Sequence, residues 1–367
     1  MYTLKKTKLL VIVFLFSINS YADTLTPGFD KKEYYELLKI NIQHSDSLYN
    51  PNLPSPEFFN RIYRSKEIGL DNRWELWTSE DSTAVISIRG TIMNSVSWEE
   101  NFYAAMVPAS GQLTLSEDYT FTYNLSNHPR AAVHAGWLIG TAFIAREAIS
   151  KIDSLNKLGF NNVIITGHSQ GGAIATLLTS HFLAEQKKGN LSNNITLKTY
   201  ASASPKVGNL YYAYSYENQT SEGWAFNVVN SADWVPEGPF SVQTVNDYNV
   251  SNPFNSIDSE LATLPILKRM AAKKIYKNLS KPSLKANRRY QKYLGKMIGS
   301  HIKKTLPGYV QPQYFDSNNY TRVGQQIVLY AEQDYYNIFP EEGVVWNHHR
   351  FEAYIYLLNN TIIEMTE

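Results

Sequence analysis

A serine between two glycines is the clearest reactive group in this sequence. Residues 166–172 read Thr-Gly-His-Ser-Gln-Gly-Gly, which places Ser169 in the pattern Gly-x-Ser-x-Gly. An apolar run, 163–165, precedes this pattern, and the helix-forming residues 173–178 follow it. At a tight strand-to-helix turn a serine hydroxyl stands clear of the sheet, and the flanking glycines let the strand and the helix pack closely. The sequence therefore predicts a nucleophile at Ser169.

Two positions are expected to stabilise the negative charge that forms when such a serine attacks a carbonyl. The amide of Gln170 begins the following helix, where an unpaired donor and the positive end of the helix dipole favour an anion. Thr91 follows the predicted strand 83–88 and can offer both its amide and its hydroxyl. Loss of one such donor typically lowers turnover by about 10² to 10³. Thr91 and Gln170 are therefore the candidate oxyanion hole.

A nucleophilic serine also needs a histidine that accepts its proton and a carboxylate that orients the histidine. Around this type of turn the three follow in the order serine, acid, histidine. Asp233 follows an apolar strand and is the candidate acid, and the adjacent His348 and His349 are both candidates for the base. His168 is expected to be structural because neighbouring side chains diverge at the turn, and His134 is expected to pack or to support the site.

The order of the predicted elements indicates an α/β protein. Predicted strands cover 74–77, 83–88, 118–123, 163–166, 197–201 and 225–229, and long helices cover 135–152 and 171–185. Two short helices joined by the proline-containing linker 51–56 are expected within residues 31–70. Alternation of strands and helices favours a mostly parallel central sheet flanked by helices.

Composition and charge restrict the class of protein. The sequence has no cysteine, 43% hydrophobic and 18% charged residues, which is typical of a globular protein without disulfides. Residues 268–304 hold thirteen Lys and Arg and no acidic residue, whereas 18 basic residues face 33 acidic ones outside this segment and the N-terminal leader. An acidic body with one basic segment argues against a nucleic-acid-binding protein. No spacing of histidines or carboxylates suggests a metal, and no cofactor is expected.

The N-terminus predicts export. Lys5, Lys6 and Lys8 precede an apolar run over 9–16, and Ser-Tyr-Ala at 20–22 follows. This pattern indicates a secretory signal peptide over residues 1–22, and no other segment is long and apolar enough to span a membrane. Residues 23–367 are expected to form one domain with a basic helical insertion at about 255–315. The expected location is extracellular or periplasmic.

Several ordered blocks resemble the class 3 lipase family, the fungal-lipase-like α/β-hydrolases. The blocks are Arg-Gly-Thr at 89–91, Val-His-Ala-Gly-Trp at 133–137, Gly-His-Ser-Gln-Gly-Gly at 167–172, Ser-Pro-Lys-Val-Gly-Asn at 204–209 and Asn-Ser-Ala-Asp-Trp-Val-Pro at 230–236. With the histidine block below, the resemblance runs from about residue 83 to 239 and resumes near 320. It implies an α/β-hydrolase fold and supports Thr91 and Asp233 in the roles given above.

The resemblance also bears on the histidine and on a lid. Residues 349–354 are similar to the family's His-Ser-Met-x-x-Tyr run, although Arg350 and Phe351 replace its serine and methionine, and this register favours His349 over His348. In the family a mobile lid follows the oxyanion turn, which corresponds to about 92–108 here. Trp98, Phe102 and Met106 recur every four residues and predict a short amphipathic helix there. A helix packed permanently on the core is the alternative.

Together the motifs and the resemblance imply a secreted serine hydrolase of lipid esters, similar to triacylglycerol lipases. A phospholipase A1-type activity is the main alternative, and feruloyl-type esterases and acyltransferases share the machinery. A non-catalytic lipid- or partner-binding protein would need a disrupted triad, and each position holds a residue of the required type. The expected partner is a lipid ester, met at a lipid–water interface. The basic insertion predicts either transient contact with an anionic membrane or a solvated helical pair facing the acidic body.

Overall fold

Strands and helices alternate through the described part of the chain, which is residues 25–44, 53–340 and 342–360 of a computed structural model. The strands are β1 (Phe59–Arg64), β2 (Trp74–Ser79), β3 (Thr83–Ile88), β4 (Met106–Pro108), β5 (Ser110–Ser116), β6 (Tyr119–Asn124), β7 (Ala132–His134), β8 (Asn162–His168), β9 (Thr196–Ser202), β10 (Gly208–Asn209), β11 (Ala225–Asn230), β12 (Tyr320–Thr321) and β13 (Gln325–Leu329). The α-helices are α1 (Lys31–Ile42), α2 (Ser95–Phe102), α3 (Ala135–Asn156), α4 (Gln170–Lys188), α5 (Leu210–Gln219), α6 (Ile257–Ala262), α7 (Ile266–Tyr290), α8 (Ile298–Thr305), α9 (Gln333–Ile338) and α10 (Phe351–Asn360). A π-helical segment, Gln291–Met297, joins α7 to α8, and 3-10 turns lie at Val235–Glu237, Val245–Asp247 and Asn347–His349. The predicted signal peptide lies outside the described residues.

Seven strands form a central sheet in the order β1, β2, β3, β8, β9, β11, β13. All pairings from β3 to β13 are parallel, and β1 and β2 are added antiparallel at one edge. Every residue of β3, β8 and β11 is buried, which a parallel sheet covered on both faces requires. The mostly parallel sheet flanked by helices confirms the predicted α/β-hydrolase fold.

Successive residues of the parallel strands point into two separate cores. Ile86 and Ile165 pack in the core that also contains residues of α3 and α4, whereas Val85 and Ile164 pack with residues of α1 and α10. Burial of one aliphatic side chain contributes about 1.5–3 kcal/mol. These two layers therefore stabilise a chain that has no disulfides.

The prediction of a second helix within residues 31–70 is wrong. Residues Phe59–Arg64 form β1, which pairs with β2 along the sheet edge. Its Arg61 lies 5.6 Å from the ring centroid of Trp77 and donates from Nη1 to Glu75 Oε1 over 3.1 Å. A mixed polar sequence fits an exposed edge strand as readily as a helix, and these cross-strand contacts select the strand.

The helix predicted beside the oxyanion turn is shorter than expected. Helix α2 ends at Phe102, and Met106 is fully buried in β4, which pairs with β7 in a second sheet of four short strands. Residues 103–107 are all buried, so the spacing of four at Met106 reflects a continuous apolar run rather than a helical face. Only the residues up to Phe102 form an amphipathic helix.

The basic segment forms helices, and the longest of them contains a proline. Helix α7 continues through Pro282, which is exposed. Proline has no amide proton, so the Asn278 carbonyl, four residues earlier, loses its hydrogen-bond donor. Asn278 is exposed, so water can bond to this carbonyl and the helix continues. Among the described residues, no helix has the length and apolar content needed to cross a membrane.

Candidate active site

Ser169 lies at the turn between β8 and α4 in a strained backbone conformation. Its φ of 62° and ψ of −131° fall in a region that residues other than glycine rarely adopt. Its amide donates to the Ser202 carbonyl of β9 over 2.9 Å. A Cβ on Gly171 would lie 2.1 Å from the Ile88 carbonyl oxygen, so only glycine lets α4 approach β3 this closely. The turn therefore has the geometry that the serine motif predicts.

Asp233 and His349 are joined directly. His349 Nδ1 donates to Asp233 Oδ2 over 2.7 Å, and the Tyr354 hydroxyl donates to the same oxygen over 2.8 Å. The other oxygen, Oδ1, accepts from the Val235 amide over 3.0 Å. Burial disfavours the ionised form of Asp233, but the contacts with His349, Val235 and Tyr354 outweigh it, and its pKa lies below the ordinary value. A carboxylate that accepts from Nδ1 leaves Nε2 of His349 as the basic nitrogen.

His348 has a different set of contacts. Its Nδ1 bonds to the Tyr335 hydroxyl over 2.8 Å, and its carbonyl accepts from Asn230 Nδ2 over 2.9 Å. His349 lines the cavity at Ser169, and His348 does not. Of the two adjacent histidines, His349 is thus the one that bonds to Asp233 and lines the same cavity as Ser169.

His168 supports the backbone of His349. Burial, reinforced by the nearby His349, lowers the pKa of His168 to about 3, so its ring is neutral. Its Nε2 donates to the His349 carbonyl over 2.8 Å, because a carbonyl can only accept. Its Nδ1 therefore accepts from the Ser202 hydroxyl over 2.9 Å, and that hydroxyl accepts from Tyr34 over 2.7 Å. The structural role expected for His168 is consistent with these contacts.

Two backbone amides border the cavity beside Ser169. Neither the Thr91 amide nor the Gln170 amide donates a hydrogen bond to another described residue. Gly90 brings the first of them close, because a Cβ there would lie 2.9 Å from the His168 carbonyl oxygen and 3.4 Å from Ser169 Cβ. Two amides without a partner among the described residues therefore belong to residues that line the same cavity as Ser169.

The Thr91 hydroxyl has other partners. It donates to Gln170 Oε1 over 2.8 Å and accepts from Asn101 Nδ2 over 2.8 Å. A hydroxyl carries one proton, so in this arrangement the proton is not available to an oxyanion. Of the two donors expected at Thr91, the amide and the hydroxyl, only the amide is available in this arrangement.

Helix α2 holds this turn through residues that sequence reasoning missed. Asn101 Oδ1 accepts from Trp137 Nε1 over 2.9 Å, and its carbonyl accepts from His134 Nε2 over 3.1 Å. Glu100 is fully buried, accepts from Asn72 Nδ2 over 2.8 Å, and has a pKa raised well above the ordinary value by burial. The spacing of polar residues along an amphipathic helix was the one signal available, and it does not identify their partners.

A cavity of about 1350 Å³ opens above these groups. Ligand pockets commonly measure about 300–1,000 Å³, so this one has room for a long apolar chain. Its apolar lining includes Met93, Trp98, Phe102, Ala104, Trp137, Trp234, Phe240, Tyr290, Leu294, Trp346 and Phe351. Within the described residues, no group of three or more His, Cys, Asp and Glu side chains is placed to hold a metal ion.

Three tryptophans from separate segments meet beside His349. The ring centroid of Trp346 lies 5.9 Å from Trp98 of α2, 5.0 Å from Trp234 and 5.9 Å from His349. Trp98 also stacks on Phe102 at 5.8 Å. Helix α2 is therefore connected to the histidine through an aromatic cluster formed by Trp98, Trp234 and Trp346, called the tryptophan cluster below.

Comparisons with known proteins point to one family. Residues 85–243 match the family model described as Lipase (class 3). The secreted mono- and diacylglycerol lipase 3 of Gibberella zeae is 29% identical over 168 residues, 46% of this chain and 48% of the relative. The chain thus spans about half the length of the curated relative that it matches.

Solved structures of fungal lipases are also similar to this chain. Lipase II from Rhizopus niveus is 20% identical, with 57% of this chain and 74% of that chain covered and a TM-score of 0.41. The lipase of Rhizopus microsporus var. chinensis is 22% identical, with 57% and 69% covered and a TM-score of 0.39. Residues 85–243 of this chain are thus similar to the class 3 lipase family.

Proposed function

We propose that the protein is a serine carboxylic ester hydrolase that acts on lipid esters, as a triacylglycerol lipase does. The observation that carries this proposal is the Asp233–His349 hydrogen bond at a cavity that is also lined by the strained Ser169 and by two residues with unpaired amides. A non-catalytic binding protein would have no need of this combination, because the strain and the buried carboxylate both cost stability.

The proposed reaction uses only side chains and amides of this chain. Ser169 Oγ attacks the acyl carbonyl while His349 Nε2 accepts its proton, and Asp233 stabilises the imidazolium that results. The amides of Thr91 and Gln170 hold the oxyanion. His349 then protonates the departing alcohol, and a water molecule attacks the acyl-enzyme by the same route. No metal or organic cofactor takes part in this scheme.

Lipid esters are the proposed substrates because of the cavity and its surroundings. The space is large and lined by aromatic and aliphatic side chains, which suits an acyl chain. The relative from Gibberella zeae is named as a mono- and diacylglycerol lipase. Phospholipase A1-type hydrolysis is the second candidate, because the basic insertion places Tyr290 and Leu294 in the cavity wall.

We also propose a lid and an exported location. The lid is confined to residues 92–102, since residues 103–107 are buried and β4 is held in a sheet. Export rests on the leader sequence and on the relative, which is named as secreted. Substrate would then be met at a lipid–water interface outside the cytoplasm.

The test is hydrolysis by the full chain of a substrate panel: mono-, di- and triacylglycerols, phosphatidylcholine and phosphatidylglycerol, and a short-chain soluble ester. We expect fatty acid release from glycerides. Ser169→Ala and His349→Ala should each lower kcat by about 10⁴ or more, because the triad acts as a unit.

His348→Ala is the matched control, since it removes the adjacent imidazole but leaves the Asp233 contact. It should retain most of the activity. Equal losses in the two histidine variants, or activity in the Ser169 variant, would contradict the assignment. Labelling of Ser169 by a fluorophosphonate without turnover of any panel member would contradict the substrate class but not the nucleophile.

A further inference from the structure

The basic insertion presents one continuous face to solvent. Along α7, residues three or four apart lie on the same side of the helix. One such row is exposed throughout, with apolar residues first and basic residues after them: Leu267, Met270, Lys274, Lys277, Lys281, Lys285 and Arg288. We call this row the outer face of α7.

The opposite row of α7 is the one that packs on the protein. It is half-buried or buried along its length and consists of Ala272, Tyr276, Ser280, Ser283, Asn287 and Tyr290. At its end, Tyr290 and then Leu294 reach the wall of the cavity beside Ser169. Helix α7 thus borders the cavity through the opposite row and faces solvent with its outer face.

The acidic body does not neutralise the outer face. Among the described residues, the Lys and Arg side chains of residues 268–304 make a single ion pair, between Lys273 Nζ and Asp258 Oδ1 at 2.6 Å. Both partners belong to the insertion, and twelve of the thirteen basic residues are exposed. A helical pair that faces the acidic body, the alternative left open by the sequence, would place these charges against carboxylates.

We propose that the outer face of α7 is a docking surface for an anionic phospholipid bilayer. This inference rests on the proposed function, because the docked bilayer would also supply the lipid ester. Charge complementarity favours an anionic partner, since each Lys or Arg held near such a surface contributes several-fold to binding. Docking through α7 holds the cavity wall formed by Tyr290 and Leu294 close to the bilayer.

Apolar residues select a bilayer rather than a soluble polyanion. Leu267 and Met270 of the outer face are 82% and 64% exposed. Ile266, which flanks it at the start of the helix, is 67% exposed. Exposed aliphatic side chains among lysines gain from insertion at the boundary between headgroups and acyl chains, whereas a soluble polyanion offers them nothing.

The test is co-sedimentation with vesicles of phosphatidylcholine, with or without phosphatidylglycerol. Ser169→Ala is used as the background, so that the vesicles are not consumed. We expect binding only when phosphatidylglycerol is present, and loss of binding at high salt. Adding Lys277→Gln, Lys281→Gln and Lys285→Gln should weaken this binding by about 100-fold.

The matched control adds Lys32→Gln, Lys157→Gln and Lys187→Gln, three exposed lysines outside the insertion, to the same background. This control has the same net charge as the variant of Lys277, Lys281 and Lys285. It should bind the vesicles as tightly as the Ser169→Ala background does. Equal weakening in both variants, equal binding to vesicles without phosphatidylglycerol, or binding to heparin but not to vesicles would overturn the proposal. Hydrolysis is measured separately with Ser169 intact, so failure of docking and failure of the proposed function can be distinguished.

Discussion

The Thr91 hydroxyl bonds to Gln170 and Asn101, so in the proposed mechanism only the Thr91 amide would bind the oxyanion. The two hydrogen bonds of the hydroxyl, to Gln170 and from Asn101, each contribute about 0.5–1.5 kcal/mol. Thr91→Val keeps the backbone amide and the shape of the side chain. We expect kcat on a soluble short-chain ester to fall by about tenfold, below the 10²–10³ typical of a lost oxyanion donor.

Thr91→Ser is the control for this prediction, because it retains the hydroxyl. Its kcat should stay within about threefold of the parent value, as expected for loss of a methyl group alone. A 10³-fold fall in the valine variant, with the serine variant unaffected, would mean that the hydroxyl turns to the oxyanion during reaction. The Gln170 contact would then belong only to the resting state.

The residues that meet at the site could be predicted to a large extent from sequence. Ser169 and Gln170 follow from a local strand–turn–helix pattern, and Asp233 from its place after a strand. The partners of the Thr91 hydroxyl could not, because Gln170 is 79 positions away and the contact depends on side-chain rotamers. Their roles in catalysis stay predictions until the variants are assayed.

At the level of elements, α2 contacts Thr91 and lines the cavity, and we propose that it also acts as a lid. Its polar residues hold the oxyanion turn, while Trp98 contacts Trp346 in the tryptophan cluster. Trp98→Ala removes the link between α2 and the segment that carries His349. We expect a higher rate on dispersed monomeric ester, and a smaller jump in rate when the substrate aggregates, because the cover no longer closes in water.

Tyr214→Ala, which removes an exposed aromatic residue of α5 outside the cavity, serves as the control. It should leave the jump in rate unchanged. If the parent protein shows no jump at all, α2 is a fixed part of the wall and the lid proposal is withdrawn. If the Trp98 variant keeps the full jump, the cover does not depend on the tryptophan cluster.

The elements that the sequence predicted well are those with strong local patterns. The long helices and the buried parallel strands agree within a few residues, because hydrophobic periodicity decides both. β1 could not be recognised, since its partner β2 and the contacts of Arg61 determine it rather than its own pattern. β4 could not be recognised either, because a short apolar run such as residues 103–107 fits a helix or a strand.

At the scale of the whole molecule, charge and burial are unevenly distributed. Twelve of the thirteen basic residues within 268–304 are exposed, while several titratable groups are enclosed within the body. The sequence showed the first of these features directly. It did not show the second, because the burial of His44 or Glu100 depends on how distant elements pack.

Four enclosed histidines predict acid-sensitive stability. Burial lowers the pKa values of His44 and His181 to about 4 and those of His134 and His168 to about 3. In the unfolded chain histidine titrates near 6.5, so below that pH the unfolded state binds protons that the folded state excludes. These groups therefore do not lower the free energy of unfolding above about pH 6.5. They lower it progressively as the pH falls from about 6.5 toward 3–4.

Urea unfolding at a series of pH values checks this prediction. Each histidine should contribute a slope of about 1.4 kcal/mol per pH unit between roughly pH 6 and 4. Glu100 acts in the opposite sense, because its raised pKa favours protonation of the folded state. His134→Gln keeps a neutral polar side chain and should reduce the slope by about 1.4 kcal/mol per pH unit, whatever its stability at pH 7. An unchanged slope would mean that His134 is protonated in the folded protein, contrary to its burial beside Trp137.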